Sequence, residues 1–530
     1  IQAGKNKELD NLQHFAVYTW RKISDLPPGT KLLTLRWVLK AKADLCRARL
    51  AVRDFATTVR NDVYSPTPTP ASIRLLLYNA CRHSHCIQVG DVTTAFMHAH
   101  NSSKAYALPP SDLARPGWCW QLDKAMNGLR TASKDWAETF ASFLVDKLGF
   151  VRGVADTSSF THHKRQLMLC VHVDDPIASG PRAQLSWMWQ ELGKYVLIRV
   201  EGEVNFETAT KFLGRNYWRV IDGRRRGVAV APTTAYYQSI ADVYGHTLET
   251  TKGSVIPMSE TSSVAPGKAD ADVKLLDKHA HHLYRSAIGK NQFIAAERPD
   301  VQFTLKVLAH KLHAPTVQDE TNLKKLVRYM IHTCNYRLYL LYEPTGKTAP
   351  QIHAYVDSDW AGDKATRRST SSVSLYIDGF LVQSGCVSQG NVAQSSAEAE
   401  YYALASAAAD VLYFETLTQD SLNMKAESTV YNDASAARAT AQRQGLSRRL
   451  RHIELKYLFV QHLVAEKRFK LGVVSGLTNP ANMATKLHGE SEQVYHCRQH
   501  CLCADVKDAI GEKSAFLPHP KRAQTAMSTS

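Results

Sequence analysis

The sequence predicts an α/β (α+β) chain, and three observations lead there. Leu167–Ser179 reads LMLCVHVDDPIAS: apolar residues run into Asp174 and Asp175, and bulky residues resume at Ile177. That pattern fits a tight β-hairpin with the acids at its tip. Elsewhere the apolar spacing is helical. Ile73, Leu76, Leu77 and Ala80 fall at i, i+3, i+4 and i+7, and Leu323, Leu326, Val327 and Met330 make a stripe from which Lys324, Lys325 and Arg328 face away. Finally, 530 residues with 44% hydrophobic content are enough to build the cores of several domains.

Two adjacent like charges are costly to bury unless a cation lies between them, so Asp174 and Asp175 mark either a cation site or a solvated turn. A second acid upstream favours the cation. In QVGDVTTAFMHA (Gln88–Ala99), Asp91 closes a short strand and Phe96 follows it on the same segment. A net charge of +16 favours a polyanionic partner. Basic clusters sharpen that: Arg224 to Arg226, Arg448 and Arg449 with Arg451, and Lys324 and Lys325 with Arg328. Any one of them taken alone reads equally as a solvated face. No apolar window is long enough to span a membrane. The 10 cysteines lack paired CxxC spacings and read as free thiols in a reducing compartment. The first residues show no signal peptide, and a start at Ile1 suggests a piece of a longer polyprotein or a degraded copy.

Between the two acidic sites lies the basic segment LDKAMNGLRTASKDW (Leu122–Trp136). Asp91, this segment and the Asp pair, in that order and spacing, resemble the polymerase core of a copia-type (Pseudoviridae) retrotransposon reverse transcriptase. In that family the segments read roughly DVxTAF, LYGLKQAPRxW and YVDD. The resemblance extends to RWVLKAKADLCRARLAVRDF (Arg36–Phe55), KFLGRN (Lys211–Asn216), and YRSAIG with ERPDVQF between Tyr284 and Phe303. A second module follows from Tyr355, with IHAYVDSDWAGD, RRSTSS, SSAEAEYYAL, YNDASA and NPANMATK. The resemblance implies a right-hand polymerase of fingers, palm and thumb, followed by an RNase H-like domain with a five-stranded mixed sheet. The expected boundaries are 1–220 for fingers and palm, 221–283 for thumb and linker, and 284–350 for a helical connection. An RNase H-like domain over 351–488 and a disordered Cys/His-containing tail over 489–530 complete the chain. The implied activity is RNA-directed DNA polymerisation with RNase H activity. RNA template, DNA primer, RNA–DNA hybrid and deoxynucleotides are the implied partners, with two Mg²⁺ per active site and no membrane. The implied location is cytoplasmic, in a virus-like particle, and/or nuclear, without secretion.

Taken in order, a polar helix-like segment opens the chain, and LLTLRWVLKAKA with RARLAVRDF read as strands. The resemblance makes these the fingers hairpin, with Arg47 and Arg49 meeting the nucleotide triphosphate. A guanidinium fork suits phosphate oxygens, while a basic edge strand that blunts aggregation is the plain alternative. NDVYSPTPTP (61–70) is too rich in proline for a helix or central strand and reads as a connector. The helix over 72–81 is expected to lie under the strand of Asp91.

In-line nucleotidyl transfer uses two Mg²⁺ to activate the 3′ hydroxyl and hold pyrophosphate. The resemblance assigns both ions to Asp91 and Asp174, with Asp175 in an outer or one-metal role. Phe96 matches the ring that excludes a 2′-OH; a buried core Phe is the alternative. Gly128, Arg130 and Lys134 match the nucleotide- and template-contacting loop. Three positions depart from the family: Thr131 for Gln, Ser133 for Pro, and His172 for the Tyr that backs the primer end. A helix through Phe140, Phe143, Leu144 and Leu148 comes next, and KFLGRNYWRV resembles the primer-gripping strand pair. Over 221–283 the signal is poor, with IADVYG and VAPGKADADVK suggesting a helical thumb and a linker. Tyr284 to Leu341 reads as helical.

In the second module, two-Mg²⁺ phosphodiester hydrolysis implies four carboxylates. Asp357 is favoured over Asp359 as the acid at the strand end. Glu400 shares its stripe with Ala403, Leu404, Ala407 and Val411, and Glu398 does not. Asp433 stands where a strand meets a helix, either as a ligand or as a cap. Asn482 occupies the place of the last aspartate, so hydrolysis of the hybrid is expected to be impaired. His452, in LRHIEL, reads as structural. His496, Cys497, His500, Cys501 and Cys503 could bind Zn²⁺, although tetrahedral sites usually draw on two separated pairs. The departures at Thr131, His172 and Asn482 keep a second reading open: a decayed retroelement copy that binds nucleic acid without catalysis.

Overall fold

A computed structural model describes residues 1–42, 45–55, 63–259, 274–445 and 455–513. The Arg448–Arg451 cluster, His452, most of VAPGKADADVK and the final AQTAMSTS lie outside the described residues. The chain divides into two compact units, Ile1–Ser72 with Cys86–Glu203, and Ile73–His85 with the residues from Val204 onward.

Among its described residues the first unit holds eleven strands: β1 (Tyr18–Lys22), β2 (Leu32–Lys42), β3 (Leu45–Val52), β4 (Cys86–Val92), β5 (His100–Leu108), β6 (Trp118–Lys124), β7 (Val151–Arg152), β8 (Ser159–His162), β9 (Leu167–His172), β10 (Asp175–Gly180) and β11 (Ile198–Glu203). They form two sheets, ordered β1-β6-β5-β2-β3 and β11-β4-β10-β9-β8-β7. The expected fingers hairpin is β2–β3, antiparallel from Leu35↔Val52 to Lys42↔Leu45. Its second strand lies at a sheet edge, burying Ala48, Leu50 and Val52 and exposing Arg47 and Arg49. That alternation is the two-residue period of a half-buried strand. In the second sheet β10 is buried from Pro176 to Gly180, as a central strand covered on both faces should be. The core beneath includes Trp120, Trp136, Phe140, Leu144, Leu169, Leu185 and Met188. Each such side chain contributes roughly 1.5–3 kcal/mol by leaving water.

The second unit begins with helical residues of Pro70–His83 and the strands β12 (Thr210–Phe212), β13 (Arg215–Asp222) and β14 (Arg225–Pro232). The helix over 72–81 is as expected, but it divides at Ser72 and most of it counts with this unit. A boundary at 220 falls inside β13, which pairs along its length with β14, so Arg225–Pro232 is sheet and not helical thumb. Helices Thr234–Ala241, Lys278–Phe293, Gln302–Ala309 and Val317–His332 then build a bundle around Tyr237, Ile240, Tyr284, Ile288, Leu323, Leu326, Val327 and Met330. The last helix starts at a capping box, Thr316 with Asp319, which satisfies two backbone donors at once.

Helical period was expected through Leu341, yet Arg337–Tyr342 is a strand, β15, paired with β14. Its run RLYLLY is buried almost throughout, and a short buried strand cannot be told from a helix by period alone. Five further strands, β16 (Gln351–Ser358), β17 (Thr370–Ile377), β18 (Phe380–Ser388), β19 (Glu427–Asn432) and β20 (Lys470–Val473), form the expected mixed sheet, ordered β18-β17-β16-β19-β20. The β16–β17–β18 pairs are antiparallel, and β19 is parallel to both β16 and β20.

Of the tail expected to be disordered, the described residues 489–513 are folded. Helix Glu490–Gln499 and strand β21 (Leu502–Cys503) extend it, and β21 pairs with β15. Burial of Tyr495, Cys497, Cys501, Leu502 and Cys503 holds this segment, which polar composition had hidden. No described helix is long and apolar enough to cross a membrane.

Candidate active sites

In the first unit, β4 runs between β10 and β11 with Asp91 near its end. Strand β9 stops at His172 and β10 begins at Asp175, leaving Val173 and Asp174 as a two-residue connection. The N–H of Val92 donates to the carbonyl of Asp174 at 2.9 Å, tying the end of β4 to the hairpin tip. Val173 sits at φ +56°, and Thr94, just past Asp91, at φ +55°. For a β-branched residue this is a strained conformation, worth about 1–3 kcal/mol, and surrounding contacts must hold it. Trp136 supplies one, its indole N–H donating to the carbonyl of Val173 at 2.6 Å.

Asp91, Asp174 and Asp175 are all half-buried. Burial, then the charges of Asp174 and Asp91, push the Asp175 carboxyl up to about 6, while His172 at the hairpin end opposes the rise. A cation among them would relieve this repulsion, and an all-oxygen donor set suits Mg²⁺. A protein cation already lies at one acid: Arg199, opposite Asp91 on β11, places Nε 3.3 Å from Asp91 Oδ2 and Nη2 2.8 Å from Glu201.

Phe96 lies on the short helix Ala95–His98, half-buried against the core, so it is neither free nor fully enclosed. The basic loop is pinned to the end of β3. Asn127 accepts from Val52 N at 2.8 Å, Asp54 accepts from Arg130 N at 3.2 Å, and Gly128 stands at φ +91°. A Cβ at Gly128 would lie 2.1 Å from Val52 O, so only glycine fits. Arg130 and Lys134 are half-buried at the start of helix Ala132–Ser142. Thr131 is 2% exposed, and its hydroxyl is among the described buried groups without a hydrogen-bond partner. The fingers arginines Arg47 and Arg49 are exposed, near the buried Glu8, which accepts from Leu50 N at 3.1 Å.

In the second unit, Asp357, Glu400 and Asp433 each offer an oxygen within 4.8 Å of the others, the one such acid-rich group among the described residues. The polymerase-like acids are not gathered as closely. Asp357 is the penultimate residue of β16, Glu400 faces it from helix Ser396–Leu422, and Asp433 follows β19. Glu400 Oε1 accepts from Ser358 N at 3.1 Å and Ser358 Oγ at 2.9 Å, and Oε2 accepts from Asn432 Nδ2 at 2.8 Å. Thr485 Oγ1 donates to Asp357 Oδ2. Burial raises the Asp357 carboxyl to about 6, and burial with the Asp357 charge raises Glu400 to about 8. Asp433 is raised as well, first by burial. Three acids held up in one cleft would be relieved by a cation among them, and their oxygen donors fit Mg²⁺.

Asp359 lies just beyond β16 and accepts from the backbone of Thr370. Glu398 accepts from Gln394 N at 3.0 Å and Tyr402 OH at 2.6 Å. The amide oxygen of Asn432 accepts from Ala434 N at 2.9 Å, and Asp433 lines the cleft. This cleft of about 530 Å³ also takes in Ser475, Gly476, Asn482, Thr485 and Lys486. Sequence reasoning passed over Thr485, Ser358, Asn432 and Lys486, because hydroxyls, amides and a lone lysine carry no pattern of their own. The Cys/His segment does not gather a metal-binding group among the described residues. His500 and Ser374 lie 3.1 Å apart, and His496 meets Gln499 at 3.1 Å.

Residues 17–225 match the family described as reverse transcriptase (RNA-dependent DNA polymerase). The Retrovirus-related Pol polyprotein from transposon RE1 of Arabidopsis thaliana is 26% identical over 486 residues, 88% of this chain and 32% of that protein. That from transposon TNT 1-94 of Nicotiana tabacum is 23% identical over 507 residues, 92% of this chain and 36% of that one. The chain thus spans about a third of the length of these relatives. Among solved structures, the foamy viral protease-reverse transcriptase dRH in complex with ds DNA shares the fold, with a TM-score of 0.50 at 9% identity, covering 89% of this chain and 69% of that one. With strands, hairpin and family match in agreement, the chain belongs to the copia-type retrotransposon Pol family and carries that family's reverse transcriptase domain.

Proposed function

We propose that this chain is an RNA-directed DNA polymerase joined to an RNase H domain. The observation that carries the first half is the strained hairpin, which holds Asp174 and Asp175 at its tip and is bonded to the strand of Asp91. Strain kept at a turn of acids is more readily understood as a functional constraint than as a solvated loop. Asp91 and Asp174 would hold two Mg²⁺, which activate a primer 3′ hydroxyl and neutralise departing pyrophosphate. Asp175 serves as an outer or one-ion ligand. Arg199 balances Asp91 until metal and substrate arrive. Arg47, Arg49, Arg130 and Lys134 bind nucleotide and template phosphates, Phe96 sets the sugar preference, and His172 backs the primer end.

For the second half, Asp357, Glu400 and Asp433 gather in one cleft and would hold Mg²⁺ for hydrolysis of RNA in an RNA–DNA hybrid. The partners are an RNA template, a DNA primer, their hybrid and deoxynucleotides, in a cytoplasmic particle or the nucleus. Mg²⁺-dependent extension of a DNA primer on an RNA template tests the polymerase, and release of labelled RNA from a hybrid tests the nuclease. The same pair of assays separates this reading from a copy that binds nucleic acid without turnover, which would retain template–primer and give neither product.

A further inference from the structure

We propose that the nuclease site works with one divalent ion and that the ammonium of Lys486 takes the place of a second. The proposal rests on the RNase H reading. Asn482 stands on the short turn Pro480–Ala484, 4% exposed, where the resemblance expects the last aspartate. Its amide is already engaged. The NH₂ donates to Gly476 O, and Oδ1 faces Lys486 Nζ at 3.5 Å. Neighbouring contacts hold that turn in place: Thr485 donates to Asp357, and the His488 ring meets Asn482 O at 3.0 Å. Lys486 lines the cleft of Asp357, Glu400 and Asp433, and its charge favours the ionised forms of Asp357 and Asp433.

Charge balance gives the physical reason. Asp359 also lines the cleft, but it is bonded to the Thr370 backbone and faces the charge of Lys306, so the three gathered carboxylates and the Lys486 ammonium leave two negative charges, which a single divalent ion neutralises. A second divalent ion would lie against the ammonium with a neutral amide for its own ligand. An aspartate at 482 would supply the missing charge and make a second ion favourable.

In hydrolysis, a water oxygen bonds to phosphorus and the bond from phosphorus to the ribose 3′ oxygen breaks. The water gives one proton to solvent, and the 3′ oxygen takes one from solvent. Lys486 is placed to hold the negative charge that grows on the phosphate and on the departing 3′ oxygen.

Four full-length proteins test this: the parent, Lys486→Met, Asn482→Asp and the double variant. Lys486 is exposed, so its replacement leaves the fold intact. Bound Mn²⁺ counted by electron paramagnetic resonance, without turnover, should show one more ion in Asn482→Asp than in the parent. Hybrid cleavage should fall at least tenfold on Lys486→Met in the parent, and less than threefold in the Asn482→Asp background, where an ion does the same work. Equal ion counts in parent and Asn482→Asp, or equal losses from Lys486→Met in both backgrounds, overturn the proposal. If none of the four cleaves a hybrid, the RNase H reading fails, and the difference in Mn²⁺ count between Asn482→Asp and the parent still decides whether the aspartate adds an ion.

Discussion

Replacing Glu400 by Gln should stabilise the metal-free form of the proposed nuclease domain at alkaline pH while abolishing hybrid cleavage. Glu400 is 6% exposed, and burial with the Asp357 charge holds its carboxyl up at about 8, against an ordinary 4.5. The folded, metal-free protein therefore binds this proton more tightly than the unfolded chain does. The stability so gained is fully present below pH 4.5 and is lost as pH rises through 8. Across that window the loss is about 5 kcal/mol, at roughly 1.36 kcal/mol per pH unit. An amide has no charge to bury. It keeps the bonds from Ser358, but its NH₂ would face Asn432 Nδ2, a donor–donor contact costing about 1–3 kcal/mol. The net gain should be about 2–4 kcal/mol at pH 9, turning into a loss of about 1–3 kcal/mol near pH 4.5. Native-state hydrogen exchange of the β16 amides in EDTA reads this unit by itself. Added Mg²⁺ should reverse the order of stability, because only the carboxylate gains from the ion. A stability difference that does not vary with pH would refute the reasoning.

Other outcomes follow from the first site. Phe96→Val should raise ribonucleotide incorporation at least about tenfold relative to deoxynucleotides, a loss of about 1.4 kcal/mol of discrimination; unchanged selectivity in an active variant would return the ring to the core. Gly128→Ala meets both a left-handed backbone and the carbonyl of Val52, so the melting temperature of the first unit should drop by several degrees; an unchanged melt would show that the loop yields. With Asp175 held up at about 6, extension at limiting Mg²⁺ should fall about tenfold per pH unit below that point, since a proton must leave before the ion binds; a flat profile between pH 5 and 7 would contradict it.

Much of this was legible in the residues. The hairpin of Asp174 and Asp175 follows from an apolar run broken by acids, and the two strands of the β2–β3 pair read as strands in the residues, with their pairing implied by the family resemblance. The helical stripe through Leu323 and Met330 was equally plain. The elements that escaped are those fixed from a distance. RLYLLY becomes β15 because β14 and β21 pair with it, and Cys501 to Cys503 are ordered by partners far away in the chain. The site followed the same rule. Acids announce themselves by spacing, whereas Trp136 and Thr485 matter through contacts across 37 and 128 residues with neighbours that no local pattern names.

The central claim is that the Asp91, Asp174 and Asp175 site polymerises DNA on RNA. Its most direct measurement compares the parent with Asp174→Asn in Mg²⁺-dependent primer extension on an RNA template, with template–primer affinity measured alongside. The account predicts extension by the parent, none by the variant, and affinities within a few-fold, because phosphate contacts and not the acids supply binding. Extension by Asp174→Asn at the parental rate, or a parent that binds template–primer and never extends it at any Mg²⁺ concentration, would contradict the account.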